Sequence, residues 1–307
     1  MRPIAARAGN IPILAKIFQN PIFGKDAFKR SFTSNRSAAC NNGALCSFFA
    51  KSAYDSDIEM GEFMHLPKQM IQRHSNTIVV FVHGFMGTPD QFADMMESVY
   101  ESGISAVSIL LPGHGKTGYE FAKCSVEDWE MHLRSELVCY QNYERIYLVG
   151  HSIGGLLALN ASTEFNIKGV VALSTPLKIH LLNPVACLKK AKLLFLKKNH
   201  EIKASYRNAM GIGKPFYRTV PLWSSVMFQP YRLMRKSAQM LSRVTVPTLT
   251  IHSKNDETTA FKSAEMFEGL LVNSKHEAIV LENAWHAYYS KNEKKIIVDA
   301  IVKFIHN

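Results

Sequence analysis

From Asn76 onward, short unbroken apolar runs alternate with longer segments in which apolar residues recur every three or four positions. Thr77-Ile78-Val79-Val80-Phe81-Val82 is a continuous β-branched and aromatic run, the pattern of a strand buried on both faces. Thr88-Pro89-Asp90-Gln91 then offers a capping box with proline at the first helical position, and Phe92, Met95, Met96, Val99 and Tyr100 follow at helical spacing. Ile104 to Leu111 reads as the next strand. Ser125-Val126-Glu127-Asp128 opens a second helix with Val126, Trp129, Leu133, Leu137 and Tyr140 on its inner face. Ile146–Val149 predicts a strand, Ile153–Glu164 a helix, and Lys168–Leu173 another strand. After a long interruption come strand Pro247–Ile251, a helix over Thr259–Leu271, strand Glu277–Leu281 and a last helix, with Ile296, Ile297, Ala300, Ile301 and Phe304 forming its stripe. Repeated β-α units of this kind predict an α/β fold, a mostly parallel sheet with helices on both faces.

The interruption divides the chain. Residues 54–175 and 237–307 read as one core, and 176–236 as an insertion too long for a bare loop. Charge separates the same pieces. Residues 1–53 carry eight Lys and Arg against Asp26 alone, and the insertion is strongly basic with Glu201 as its one acid, so the remainder is net acidic despite a formal charge of +11. A nucleic-acid binder would spread basic and aromatic residues over its main fold, so none is expected as a partner. The arm at 1–53 has the Arg- and Ser-rich, acid-poor character of a transit peptide, with Arg30-Ser31-Phe32-Thr33-Ser34 as a loose cleavage region. It reads equally as an unstructured arm, or as sequence upstream of a start near Met60 or Met64. No apolar run approaches the ~18 residues of a spanning helix. Five cysteines without a C-x-x-C pair argue against a disulfide scaffold and a zinc-thiolate site, and favour a reducing compartment. The expected location is cytoplasmic, or mitochondrial if the arm is a transit peptide.

The most specific chemistry lies at Gly150-His151-Ser152-Ile153-Gly154, between a predicted strand and a predicted helix. That context is what a nucleophile elbow requires: a sharp turn presents the serine, and flanking glycines leave room for neighbouring backbone. His83-Gly84-Phe85 directly follows the first parallel strand, where an oxyanion loop belongs, so the N–H groups of Phe85 and Ile153 are the candidate donors and His83 a loop anchor. A serine hydroxyl needs a base, and the base an orienting acid. The loop after Pro247–Ile251 supplies Asp256, with Glu257 adjoining it. The loop after Glu277–Leu281 supplies His286, whereas His276 begins that strand at the other edge of the sheet. Glu257 reads as the start of the next helix, so Asp256 and His286 are preferred. Gly115-Lys116-Thr117 imitates the end of a phosphate loop, but Leu110 stands where that motif needs glycine, and Gly113 and Gly115 read instead as a tight turn beside a structural His114.

These pieces, with Leu111-Pro112-Gly113-His114-Gly115, resemble the α/β-hydrolase superfamily and its carboxylesterase and monoacylglycerol lipase-like group, over about three quarters of the chain. The resemblance implies an α/β-hydrolase fold with an inserted helical cap. It also implies cleavage of carboxylic esters through an acyl-serine intermediate, a small-molecule ester substrate with short or medium acyl chains or a monoacylglycerol, and no metal or organic cofactor. The same triad serves thioester, amide and C–C hydrolysis and acyl transfer, and the fold also serves binding proteins without turnover. The arm at 1–53 departs from the family pattern. In the cap, Val185, Leu188, Ala191, Phe195 and Leu196 recur at helical spacing among lysines, and Phe216, Tyr217, Trp223 and Phe228 follow. Such a surface can rest peripherally on an anionic membrane, or its lysines simply face water over a soluble lid.

Overall fold

The computed structural model describes residues 65–180, 200–213 and 216–307. The basic arm, the predicted helix around 185–196 with its Phe195, and the side chains of Phe216 and Tyr217 lie outside the described residues.

The strands are β1 Lys68–Met70, β2 Thr77–Val82, β3 Ser105–Ile109, β4 Lys116–Thr117, β5 Arg145–His151, β6 Gly169–Leu173, β7 Ile212–Gly213, β8 Thr248–Ser253 and β9 His276–Leu281. Seven of them form one sheet in the order β1-β3-β2-β5-β6-β8-β9, while β4 and β7 make a separate parallel pair. Within the main sheet only β1, against β3, runs antiparallel. The helices are α1 Ala93–Glu101, α2 Gly118–Ala122, α3 Val126–Cys139, α4 Ile153–Ser162, α5 His200–Asn208, α6 Gln229–Met240, α7 Lys262–Leu270 and α8 Lys291–His306, with single-turn segments between α5 and α6.

Every residue of β2, β3, β6 and β8 is buried: β2 and β6 are near-continuous apolar runs, while β3 and β8 also bury polar residues, Ser105 and Ser108 in one and Thr248, Thr250, His252 and Ser253 in the other. Strand alternation sends side chains to two cores. Ile78, Val80 and Val82 meet Trp129, Leu133 and Leu137 of α3, Leu156 of α4, Leu233 of α6 and Phe267 of α7, while Val79 and Phe81 meet Met95, Met96 and Val99 of α1 and Ile297, Ile301 and Ile305 of α8. Helices therefore cover both faces of a mostly parallel sheet, the architecture expected from the sequence. The chain runs outward from β2 to β3 and returns on the other side of β2 as β5. This reversal opens a crevice at the carboxyl ends of β2 and β5, where open α/β sheets bind ligands.

Ser125 caps α3 as expected, its hydroxyl accepting the Asp128 N–H while Asp128 accepts the Ser125 N–H. Several details differ from the sequence reading. Ile296 is 47% exposed, because it lies a helical step of about 100° from Ile297 and the buried stripe of α8 is Ile297, Ile301 and Ile305. Thr88 accepts the Asp90 N–H, one position earlier than a capping box with Gln91 requires, and a 3₁₀ turn over Pro89–Phe92 precedes α1. β1 has too short and too polar a sequence to signal a strand. Cys139 is engaged in a disulfide, which the cysteine spacing did not signal. Helix α6 runs through the boundary drawn at 236/237 and packs along α4. Among the described residues no helix is long and apolar enough to cross a membrane.

The two isoleucines separate core from surface in one helix. Ile301→Ala, at a fully buried position, is expected to lower unfolding free energy by about 2–5 kcal/mol. Ile296→Ala should stay within about 0.5 kcal/mol of the parent in the same urea titration.

Candidate active site

β5 ends at His151, and the chain reverses at Ser152 into α4. Ser152 has φ 54° and ψ −126°, a conformation that costs a non-glycine residue about 1–3 kcal/mol. Its surroundings fix it there: the Ser152 N–H donates to the Leu173 carbonyl at 2.8 Å, and its carbonyl accepts the Gly155 N–H at 3.0 Å. The glycines are spatial necessities. A Cβ on Gly150 would enter the backbone of Gly154 and Gly155, one on Gly154 the carbonyl of Val82, and one on Gly155 the hydroxyl of Thr175. Although Ser152 occupies the N-cap position of α4, its hydroxyl makes no capping bond and is directed elsewhere.

That hydroxyl lies 3.1 Å from His286 Nε2, and His286 Nδ1 lies 2.9 Å from Asp256 Oδ2. A carboxylate can only accept, so Nδ1 carries the proton and Nε2 is left to accept from Ser152. The register of β8 against β9, with Ser253 opposite Leu281, starts the Asp256 and His286 loops side by side. Asp256 Oδ1 accepts the N–H groups of Thr258 at 2.8 Å and Thr259 at 2.7 Å. Burial alone would raise the Asp256 pKa, but His286 and these hydrogen bonds outweigh it and hold the carboxyl below its usual range.

Both rival residues take other roles. Glu257 meets His286 at the backbone: its Oε2 accepts the His286 N–H at 3.1 Å, and its Oε1 accepts from Tyr206 at 2.6 Å and Thr258 at 2.9 Å. His276 starts β9 and bonds Thr250 Oγ1 at 2.9 Å, at the amino edge of the sheet. His151 contributes a contact that the sequence reading did not assign: its Nε2 lies 2.8 Å from the His286 carbonyl. His286 is thus held at its backbone N–H, its carbonyl and its ring by three separate residues.

The loop after β2 runs beside the elbow because Val82 pairs with Gly150. Gly84 approaches so closely that a Cβ there would stand 2.8 Å from Ser152 Cβ. Two buried imidazoles brace this loop. His83 accepts the Leu111 N–H at 3.0 Å and donates to the Gly84 carbonyl at 2.9 Å, and His114 accepts the Met86 N–H at 3.0 Å and donates to the Pro112 carbonyl at 3.1 Å. Burial, with His114 as neighbour, holds His83 well below the usual imidazole range, and burial pushes His114 down to about 4. Both are neutral struts, and Gly113 and Gly115 form the positive-φ turn next to them. Around the elbow, Ser152 N–H, Gly155 N–H, Met86 N–H and Gly87 N–H are committed to other acceptors, and the N–H groups of Phe85 and Ile153 take part in none of these bonds. Lys116 and Thr117 pair with β7, so the phosphate-loop imitation is a short strand. Trp223, expected among the outward aromatics of the cap, is instead 3% exposed and donates to the Gly118 carbonyl at 2.9 Å. Among the described residues no group of three or more His, Cys, Asp or Glu side chains is arranged to hold a metal ion.

Comparison with known proteins agrees with this arrangement at the level of fold and family. The chain is 24% identical over 229 residues to a thermostable monoacylglycerol lipase of Bacillus sp. (strain H-257), covering 74% of this chain and 89% of that protein. Its fold resembles the monoacylglycerol lipase of Paleococcus ferrophilus, with a TM-score of 0.59 and 18% identity over 80% of this chain and 98% of that one. It likewise resembles a soluble variant of the monoglyceride lipase of Saccharomyces cerevisiae, at TM-score 0.59 and 15% identity over 82% and 95% of the two chains. The pattern of the family described as "Serine aminopeptidase, S33" matches residues 73–294. With its doubly covered sheet and elbow serine, the chain belongs to that family of α/β-hydrolases.

Proposed function

We propose that this protein is a serine esterase that cleaves short or medium acyl esters or monoacylglycerols through an acyl-serine intermediate. The observation that carries the reading is the continuous line Ser152 Oγ, His286 Nε2, His286 Nδ1, Asp256 Oδ2, with steps of 3.1 and 2.9 Å. His286 takes the proton of Ser152 as Oγ attacks the ester carbonyl. Asp256 holds the tautomer and stabilises the imidazolium, and the N–H groups of Phe85 and Ile153 receive the oxyanion. His286 then protonates the leaving alcohol, and a water activated by the same imidazole releases the acid.

The family name raises a second reading, hydrolysis of an amide at a free amino terminus. A substrate ammonium group needs an uncommitted carboxylate near the nucleophile. Asp256 is bound by His286, Thr258 and Thr259, and Glu257 by His286, Tyr206 and Thr258. These commitments, and the lipase and carboxylesterase relatives, favour the ester.

The insertion, read as a cap over this site, also presents apolar surface: Leu222, Met227, Phe228 and Tyr231 are exposed, alongside Arg232 and Arg235. A peripheral contact with an anionic lipid surface follows from that composition. Vesicles of phosphatidylserine and phosphatidylcholine should sediment the protein, and Phe228→Glu should leave more of it in the supernatant; equal recovery with and without vesicles removes the contact.

Ser152→Ala is expected to abolish hydrolysis of p-nitrophenyl esters and labelling by a fluorophosphonate, and retained labelling refutes the nucleophile. Asp256→Asn should lower kcat by about three to four orders of magnitude while the fold persists by circular dichroism. Because the Asp256 carboxyl sits below its usual range, it is already ionised where the enzyme works. Activity should therefore rise with pH along a single limb belonging to the imidazole of His286, seen as one titration in kcat/KM.

A further inference from the structure

Side chains from one helix of the insertion reach the loop that carries His286. Tyr206 of α5 donates its hydroxyl to Glu257 Oε1 at 2.6 Å, Ser205 donates to the Ala287 carbonyl at 2.5 Å, and Tyr288 donates to Glu201 Oε2 at 3.2 Å. Glu257 transmits this hold, because its other oxygen accepts the His286 backbone N–H. A few residues further on, the same segment reaches the opposite side of the nucleophile. The Gly211 N–H donates to the Met86 carbonyl at 2.7 Å, and the Gly211 carbonyl accepts the Gly115 N–H at 2.6 Å. The fit is close: a Cβ on Gly211 would meet the Gly87 carbonyl group. Met86 needs holding on both sides, since it adopts φ 59° without being glycine and its N–H is already fixed by His114.

We infer that residues 201–213 of the insertion are a positioning element for the reaction, joining the histidine loop through Tyr206 and Glu257, and the oxyanion loop through Gly211, into one frame. The inference rests on the reading of Ser152, Asp256 and His286 given above. Tyr206 and Glu257 touch no reacting atom and act through His286. Glu257 has a second effect by charge, because it places another buried carboxylate beside the imidazole. Beside that imidazole stand Asp256 and Glu257 from the loop after β8 and His151 from the end of β5, and Tyr206 from α5 and Tyr289 from its own loop act on those two acids.

The test is steady-state hydrolysis of a water-soluble p-nitrophenyl ester across pH, with melting temperature recorded for each variant. Tyr206→Phe keeps the ring and removes one hydroxyl; kcat is expected to fall about tenfold with KM within about twofold. Glu257→Gln keeps the size and an oxygen to accept the His286 N–H but removes a negative charge. The imidazolium then loses a stabilising neighbour, so the midpoint of the acid limb should move to lower pH by about one unit. A purely structural role would lower the melting temperature and leave both the acid limb and kcat at the parent values. That result in both variants overturns the inference while leaving the triad intact. Failure of the triad reading is distinct, since it appears as turnover and fluorophosphonate labelling retained in Ser152→Ala.

Discussion

An imidazole can move a proton between a hydroxyl and a leaving group only while both of its nitrogens stay on target, and His286 has no helix or strand of its own to keep it there. It lies in the loop between β9 and α8, where a backbone left to itself would sample many conformations. A bridge between Trp285 and Tyr288 tightens the loop around it, and hydrogen bonds from outside supply the rest: Asp256 to the ring, Glu257 to the backbone N–H and His151 to the carbonyl. These partners stand at the carboxyl ends of β5 and β8. The parallel arrangement is therefore more than a scaffold; it is what brings the ends of β5, β8 and β9 to one edge, so that short loops can fix one side chain.

Electrostatics sharpens that constraint. Several imidazoles crowd this region, and if all could ionise near neutral pH they would oppose the positive charge that the proposed mechanism places on His286. Burial prevents this. His151, whose ring centroid is 4.9 Å from that of His286, is pushed down to about 3 by burial and then by the charge of His286. His83 and His114 are depressed in the same way and serve as neutral donors and acceptors for the loop after β2. The two neighbouring acids shift in the opposite sense to what burial alone would do, because His286 and their hydrogen bonds favour the ionised forms of Asp256 and Glu257. The surroundings are thus polarised toward a single cation at a single position.

Much of this is legible without coordinates. Apolar runs mark β2, β5 and β6 because strands buried on both faces favour apolar side chains, and the glycines around Ser152 mark the elbow because no Cβ fits there. The choice of His286 over His276 follows from which end of β9 each occupies. Other features have a weaker local signal or none. Asp256 and Glu257 are adjacent, and which one meets the ring is decided by the turn at Thr258 and Thr259, whose N–H groups pin one oxygen of Asp256. Ile296 misleads for a related reason: two consecutive isoleucines on a helix point about 100° apart, so only one can join a narrow stripe. Tyr206 is invisible because its partner lies 51 residues away across an insertion whose sequence pattern is dominated by charge.

That last case shows where sequence reading of an insertion reaches its limit. Composition suggests a cover and a surface to rest on, since both depend on summed charge and apolarity. It says nothing about whether the cover bears on the chemistry, which depends on a few directed bonds. Here the bonds fall on three loops at the carboxyl edge of the sheet, at Glu257 after β8 and Ala287 after β9 on one side and at Met86 after β2 on the other. All three loops follow strands whose ends are already fixed by the sheet, so a support is needed only beyond those ends. A short helix followed by two strand residues is enough to span the gap, because the contacts at Glu257 and Met86 fall on residues that are already held on their other side.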